Sequence, residues 1–168
     1  YWKEGHLAGI PLKNYSHWKG AGPWEDQERW LPLGRVHFRM YERLSLVKSA
    51  QRPLKRAVEW GCGGGANAIH FINEVEEFCG IEISQSSLDE CARVLTAADF
   101  HRFLGVLIPA QSPELALEMS GGGFDLFLST YVFELLPSKQ YGERVLRIAY
   151  ELVRPGGLAL IQIRYDDG

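Results

Sequence analysis

No apolar run in the sequence approaches the roughly 20 residues that cross a bilayer, so no membrane-spanning helix is expected. Cysteine is scarce: Cys62, Cys79 and Cys91 form no CxxC pair and no metal-ligand spacing, so neither a disulfide framework nor a metal site is expected. An odd set of free thiols suits a reducing compartment, and the cytoplasm is the expected location. No basic segment followed by an apolar one marks a secretory leader at the start. The chain opens on Tyr1 and not on Met, as a fragment of a longer protein would. Internal repeats, low-complexity tracts and dense Lys/Arg clusters are also missing.

What is present is ordinary in amount and uneven in distribution. The 168 residues, 46% apolar and 23% charged, are enough for one soluble domain with a single core. Residues 1–57 carry 11 Lys/Arg against 5 Asp/Glu, whereas residues 58–168 carry 7 against 16. Three of the five His and four of the five Trp also precede residue 58. The basic region is either a solvated helix face or a basic, aromatic lid over an anionic or ring-bearing ligand.

Residues 1–34 are punctuated by Gly, Pro and Trp too often for a long helix, which predicts irregular coil with short helical turns. From residue 35 to 49 the spacing of Val36, Met40 and Leu44, with Tyr41 and Val47 beside them, predicts a helix with that apolar face inward. After Pro53 five apolar runs (AVEW, FCGIEI, FLGVLI, FDLFLSTYVF, LALIQI) alternate with helical segments. Strands alternating with helices require parallel pairing and right-handed crossovers, so the fold class is α/β with a doubly wound, mostly parallel sheet.

Between the first run and the first helix lies EWGCGGGANA, residues 59–68. Topology puts this turn at the carboxyl edge of the sheet, where doubly wound folds bind ligands. Glycine permits positive φ and a close approach of backbone to ligand. Two ligands compete. Gly61, Gly63 and Ala66 satisfy G-x-G-x-x-A with Glu82 about 20 residues on, the dinucleotide pattern. Against NAD stand the carboxylate of Glu59 ahead of the first glycine, the third alternate glycine Gly65, and Arg154-Pro155-Gly156-Gly157 before the last run.

The sequence resembles the class I S-adenosylmethionine-dependent methyltransferases. Their acidic-x-G-x-G-x-G motif is matched by Glu59, Gly61, Gly63 and Gly65, their acidic end of strand two by Glu82, their fourth strand by residues 124–136, and their L-x-P-G-G turn by Val153 to Gly157. The resemblance covers about residues 54–165. It implies a cofactor site built from Glu59, Gly61, Cys62, Gly63, Gly65, Glu82, Ile83, Ala110, Gln111 and Ser129, with S-adenosylhomocysteine as product. Glu59 either meets the ammonium group or anchors the loop, and Glu82 takes the ribose hydroxyls. Trp60, Tyr131 and the N-terminal aromatics are candidates to face the sulfonium. Many members carry an acid after strand three for the adenine; here Pro109-Ala110-Gln111 occupies that turn, with the Gln111 side-chain carbonyl or Glu114 as substitutes. Cys62 reads as a small packing residue and His70 as a satisfied helix histidine.

On the acceptor side the candidates are Tyr131, Glu134 and His37, with His17 as another possible base; Glu134 reads equally well as the cap of a short helix. Tyr1, Trp2, Tyr15, His17, Trp18, Trp24 and Trp30 form either a lid or a small core of their own. The expected organisation is an aromatic, basic cap with one helix over 1–52 and a cofactor-binding domain over 53–168. Family members continue past strand five into a helix and an antiparallel hairpin, so a domain incomplete at its C-terminus, without that hairpin, is expected. The expected acceptor is a small molecule; a basic aromatic arm also fits RNA, less well in an acidic chain. A non-catalytic binding module and an NAD-dependent oxidoreductase are the remaining alternatives.

Overall fold

The computed structural model describes residues 6–7, 10–11, 18–20, 24–48 and 53–163. Tyr1, Trp2, Tyr15 and His17 lie outside them. A two-residue antiparallel ladder, β1 (His6–Leu7) with β2 (Ile10–Pro11), precedes the long helix α1 (Gln27–Lys48). Five strands follow: β3 (Leu54–Trp60), β4 (Val75–Glu82), β5 (Phe103–Leu107), β6 (Phe124–Ser129) and β7 (Val153–Ile161). Between them run α2 (Ala68–Phe71), α3 (Gln85–Ala97), α4 (Leu115–Ser120) and α5 (Lys139–Leu152). The strands pair in parallel in the order β5-β4-β3-β6-β7. The expected α/β sheet is therefore present, and its order reverses direction beside β3, so the carboxyl end of β3 borders the crevice where such sheets hold ligands.

Two-sided burial explains the continuous apolar runs. Ala57, Phe78, Leu126 and Leu128 pack against α1, α2 and α3 on one face; Val58, Cys79, Ile81 and Phe127 pack against α4 and α5 on the other. Each fully buried large side chain among them contributes about 1.5–3 kcal/mol.

Helix α1 departs from the sequence reading in two ways. It begins at Gln27, eight residues early, because the Asp26 carboxylate accepts from Glu28 N at 2.8 Å and its carbonyl from Arg29 N and Trp30 N. Pro32, in the second turn, removes only one backbone bond, and burial of Trp30 with Ala66 and Val94 offsets that loss. The buried stripe is Trp30, Gly34, His37, Tyr41 and Ser45, whereas Val36 (51%), Met40 (48%) and Val47 (81%) stand exposed. Gly34 decides the rotation: a Cβ there would lie 2.0 Å from the Ala66 carbonyl oxygen, so only glycine lets α1 approach so closely.

Other boundaries moved too. The first helix after the glycine loop is a single turn, since residues 61–67 are taken up by the loop. Strand β6 stops at Ser129, and the remainder of its predicted run turns over Tyr131, at φ 59°, into a 3-10 turn at Phe133–Leu135. Strand β7 begins early, and its register with β6 jumps from Phe124↔Val153 to Leu126↔Leu158, leaving the Pro-Gly-Gly residues as a bulge.

At the opposite edge of the sheet, Asp125 ties the layers together. One carboxylate oxygen accepts from Lys55 N and Arg56 N at 2.7 and 2.8 Å, and the other from Arg154 Nε at 2.5 Å. Burial alone would raise its pKa; the Arg56 and Lys55 amides and the Arg154 guanidinium outweigh that and hold it below the ordinary aspartate value. Replacing Asp125 with Ala strands two amides and a guanidinium, and is expected to cost about 2–4 kcal/mol in urea denaturation at pH 7. Because the folded value is depressed, Asp125's contribution is present above the unfolded aspartate pKa. It fades as pH falls through the folded value, so the gap between variant and wild type should close in acid.

Candidate cofactor-binding site

The glycine loop leaves β3 at Gly61, whose amide donates to Ile81 O at 2.8 Å, and doubles back so that Gly65 N reaches Cys62 O at 3.0 Å. Gly61 and Gly63 have φ of 74° and 51°, values that a side chain resists. A Cβ on Gly61 would also stand 2.5 Å from Val132 Cγ2. The loop thereby floors a cleft of about 340 Å³ of empty space, counting its open mouth. Its walls are Glu59, Gly61, Cys62, Gly63, Ala66 and Asn67 from β3 and the loop, Leu33 and His37 from α1, and Thr130 and Tyr131 after β6.

Glu59 lies buried beneath the loop. Its Oε1 accepts from Asn67 Nδ2 at 2.5 Å, whereas Oε2, equally buried, has no partner among the described residues. Burial pushes this carboxyl up to about 8, the Glu82 charge adding to the effect and the Asn67 bond opposing it. An isolated buried carboxylate is costly unless a positive group joins it. Glu82, at the end of β4, turns Oε2 to the amides of Ile83 (2.6 Å) and Ser84 (3.1 Å), and its carboxylate also accepts from Gly63 N. Burial raises its pKa and those three amides work against the rise.

The remaining expected site residues divide by position. Glu59, Gly61, Cys62, Gly63, His37 and Tyr131 meet in the cleft. Gly65 packs below it against Cys91, and Glu82 and Ile83 sit beside it at the next strand end. Ser129 is fully buried at the end of β6, its Oγ without a partner among the described residues. Ala110 and Gln111 occupy the turn after β5, where Gln111 is exposed and its backbone carbonyl accepts from Arg144; the same arginine holds Glu114 at 2.7 Å. Glu134 projects to solvent from its 3-10 turn and does not line the cleft. Trp60, the last residue of β3, is buried in the core on the α4 and α5 face of the sheet and does not line the cleft. The hydrogen bond to Cys91, together with burial, raises the Cys62 thiol well above its usual range, so Cys62 packs and does not react. His70 Nε2 donates to Leu31 O at 2.8 Å and joins α2 to α1.

Of the N-terminal aromatics, Trp30 and Trp24 form a small core with Ala66 and Val94. Trp18 instead lies over the glycine loop, so close that a Cβ on Gly64 would come within 2.8 Å of its ring. Three residues of the cleft, Leu33, Asn67 and Thr130, escaped the sequence reading. Asn67 stands where a helix cap would, but makes no capping bond, and its side chain turns to β3 instead. Among the described residues no group of three His, Cys, Asp or Glu could hold a metal, and no helix is long and apolar enough to cross a membrane.

Residues 58–159, more than half the chain, match the family model described as a methyltransferase domain. The chain belongs to that family. Solved structures with the same fold include an S-adenosylmethionine-dependent methyltransferase from Clostridium acetobutylicum (11% identity, TM-score 0.63, 81% of this chain and 50% of that one). PKMT2 from Rickettsia typhi in complex with AdoHcy is another (20%, 0.53, 64% and 20%). Coclaurine N-methyltransferase bound to N-methylheliamine and SAH is a third (18%, 0.58, 76% and 35%). This chain therefore spans half or less of each of these relatives. No protein of curated function matches the sequence.

The cofactor of this methyltransferase family, S-adenosylmethionine, fits the residues present. The unpartnered Glu59 Oε2 would meet its ammonium group, and Glu82 would accept from the ribose at the neighbouring strand end. A dinucleotide fits worse. Among the described residues the cleft walls contain a carboxyl group and no Lys or Arg to face a pyrophosphate, and the following helix is a single turn.

Proposed function

We propose that the chain transfers a methyl group from S-adenosylmethionine to an oxygen or nitrogen atom of a small-molecule acceptor by in-line displacement. The observation that carries this reading is the buried, unpartnered Glu59 Oε2 under a loop with positive-φ glycines. When bound, the cofactor supplies a methyl group on a positively charged sulfur, so the protein contributes alignment, exclusion of water and removal of the acceptor's proton. A small acceptor suits a cleft walled by Leu33, His37 and Tyr131, and the described residues of its walls include no Lys or Arg to meet RNA phosphates. Coclaurine N-methyltransferase, whose solved structure is bound to N-methylheliamine, shares this fold. Of the acceptor-side candidates, His37 and Tyr131 hold positions in the cleft and Glu134 does not. Residues 1–52 serve as a cap on the cofactor domain in this reading, and the three buried free thiols accord with a cytoplasmic protein.

Incubation with methyl-labelled S-adenosylmethionine and panels of phenols, catechols and amines should release S-adenosylhomocysteine only when an acceptor is present. Binding without release on any panel would favour the non-catalytic module. Glu82→Ala is expected to weaken S-adenosylhomocysteine binding by about 1.5–3 kcal/mol, since an acceptor for the ribose hydroxyls is lost. Unchanged affinity would leave Glu82 as a brace for the loop alone.

A further inference from the structure

Three segments bring side chains to one buried amide. Asn67 Nδ2 donates to Glu59 Oε1 on β3 at 2.5 Å and to Thr130 Oγ1 after β6 at 2.8 Å, while Asn67 Oδ1 lies 2.8 Å from His37 Nδ1 on α1. Asn67, His37, Glu59 and Thr130 are all buried. In the structure the amide nitrogen faces Glu59 Oε1 and Thr130 Oγ1 and the amide oxygen faces His37 Nδ1; with the Glu59 proton on Oε2, or released, Oε1 accepts and this orientation satisfies all three contacts. An amide oxygen only accepts, so His37 Nδ1 must carry the ring proton. The neutral ring then has its lone pair on Nε2, the reverse of the tautomer that free histidine prefers in water. Nε2 has no hydrogen-bond partner among the described residues, and His37 lines the cleft with its ring edge-on to Tyr131, 5.5 Å between centroids.

We propose that Asn67 is a positioning residue that holds His37 in the Nδ1–H form, so that Nε2 takes the proton of the methyl acceptor. This rests on the methyl-transfer reading above. The acceptor's lone pair forms the bond to the transferred methyl carbon, and sulfur keeps the electron pair of the bond that breaks. The acceptor's proton moves to Nε2, so the positive charge passes from sulfonium to imidazolium. Through Asn67 the carboxyl group that meets the cofactor and the base that serves the acceptor are parts of one network, which aligns both ends of the reaction with a single side chain.

Long-range 1H–15N correlation of the imidazole nitrogens tests this in the free protein, without acceptor or cofactor, with His37 assigned by its loss in His37→Gln. At a pH where the ring is neutral, wild type should show a protonated Nδ1 and a bare Nε2. Asn67→Ala should revert to the Nε2–H form, since nothing then accepts from Nδ1. A wild-type protein already in the Nε2–H form would overturn the proposal, whether or not the alanine variant folds. Titration with S-adenosylhomocysteine separates the two readings: binding with the wrong tautomer defeats only the role of Asn67, and the right tautomer without binding defeats the cofactor site. With an acceptor in hand, Asn67→Ala should lower kcat by about 10²–10⁴-fold, the usual scale of general-base catalysis. A kcat unchanged in Asn67→Ala would contradict the proposal.

Discussion

Gly63→Val is expected to reduce affinity for S-adenosylmethionine and S-adenosylhomocysteine by at least about a hundredfold while leaving the far-ultraviolet circular dichroism unchanged. Gly63 lines the cleft at φ 51°, a conformation that costs a side-chain-bearing residue roughly 1–2 kcal/mol and a β-branched one more. That strain is within the stability of an ordinary domain, roughly 5–15 kcal/mol, so the fold should persist. The isopropyl group, however, would occupy the space above the loop or push the loop away from Glu82, to which Gly63 N donates. Calorimetric titration of the variant would settle it; an affinity within threefold of wild type would mean that the ligand does not lie on this loop.

The second large effect is a pH dependence of binding centred on Glu59. In the free protein burial holds this carboxyl at about 8, so it carries its proton at neutral pH. An ammonium beside Oε2 favours the ionised form, and binding should therefore release close to one proton near pH 6.5. Affinity should rise with pH, about tenfold per unit between roughly pH 5.5 and 7. Titrations in buffers of different ionisation enthalpy would count the proton directly. Glu59→Gln should remove the slope and weaken binding about 10- to 100-fold at pH 7.5, the scale of a lost charge-assisted hydrogen bond. Stability runs the other way. A carboxyl raised in the folded state stabilises the free protein fully below its unfolded pKa of 4.5, and that contribution is lost as pH rises through about 8. Without ligand, Glu59→Gln should therefore have a higher Tm than wild type at pH 8, and a lower one would refute this account of Glu59.

The parallel sheet was legible because strands buried on both faces must be continuous apolar runs, as FDLFL is in β6. Glu59 and the alternate glycines were legible for a related reason: acid and glycine are both poor strand residues, so their place at a strand end demands another cause. The face of α1 was not legible. Its buried stripe uses Gly34, His37 and Ser45 where an apolar periodicity would be sought, and the helix turns toward them because only Gly34 permits contact with the Ala66 carbonyl. Asn67 was hidden by its ordinary role, since asparagine at the start of a helix reads as a cap. Its partners stand 8, 30 and 63 residues away in sequence, a distance over which no local pattern survives. The end of β6 was missed because Tyr131 adopts a positive φ that no propensity favours; such strain is typical of a residue placed for a site.

Side-by-side calorimetric titration of the wild-type protein with S-adenosylmethionine, S-adenosylhomocysteine and NAD tests the central claim most directly. Micromolar binding of the first two with no heat from the third is the predicted result, and binding of NAD alone would contradict it.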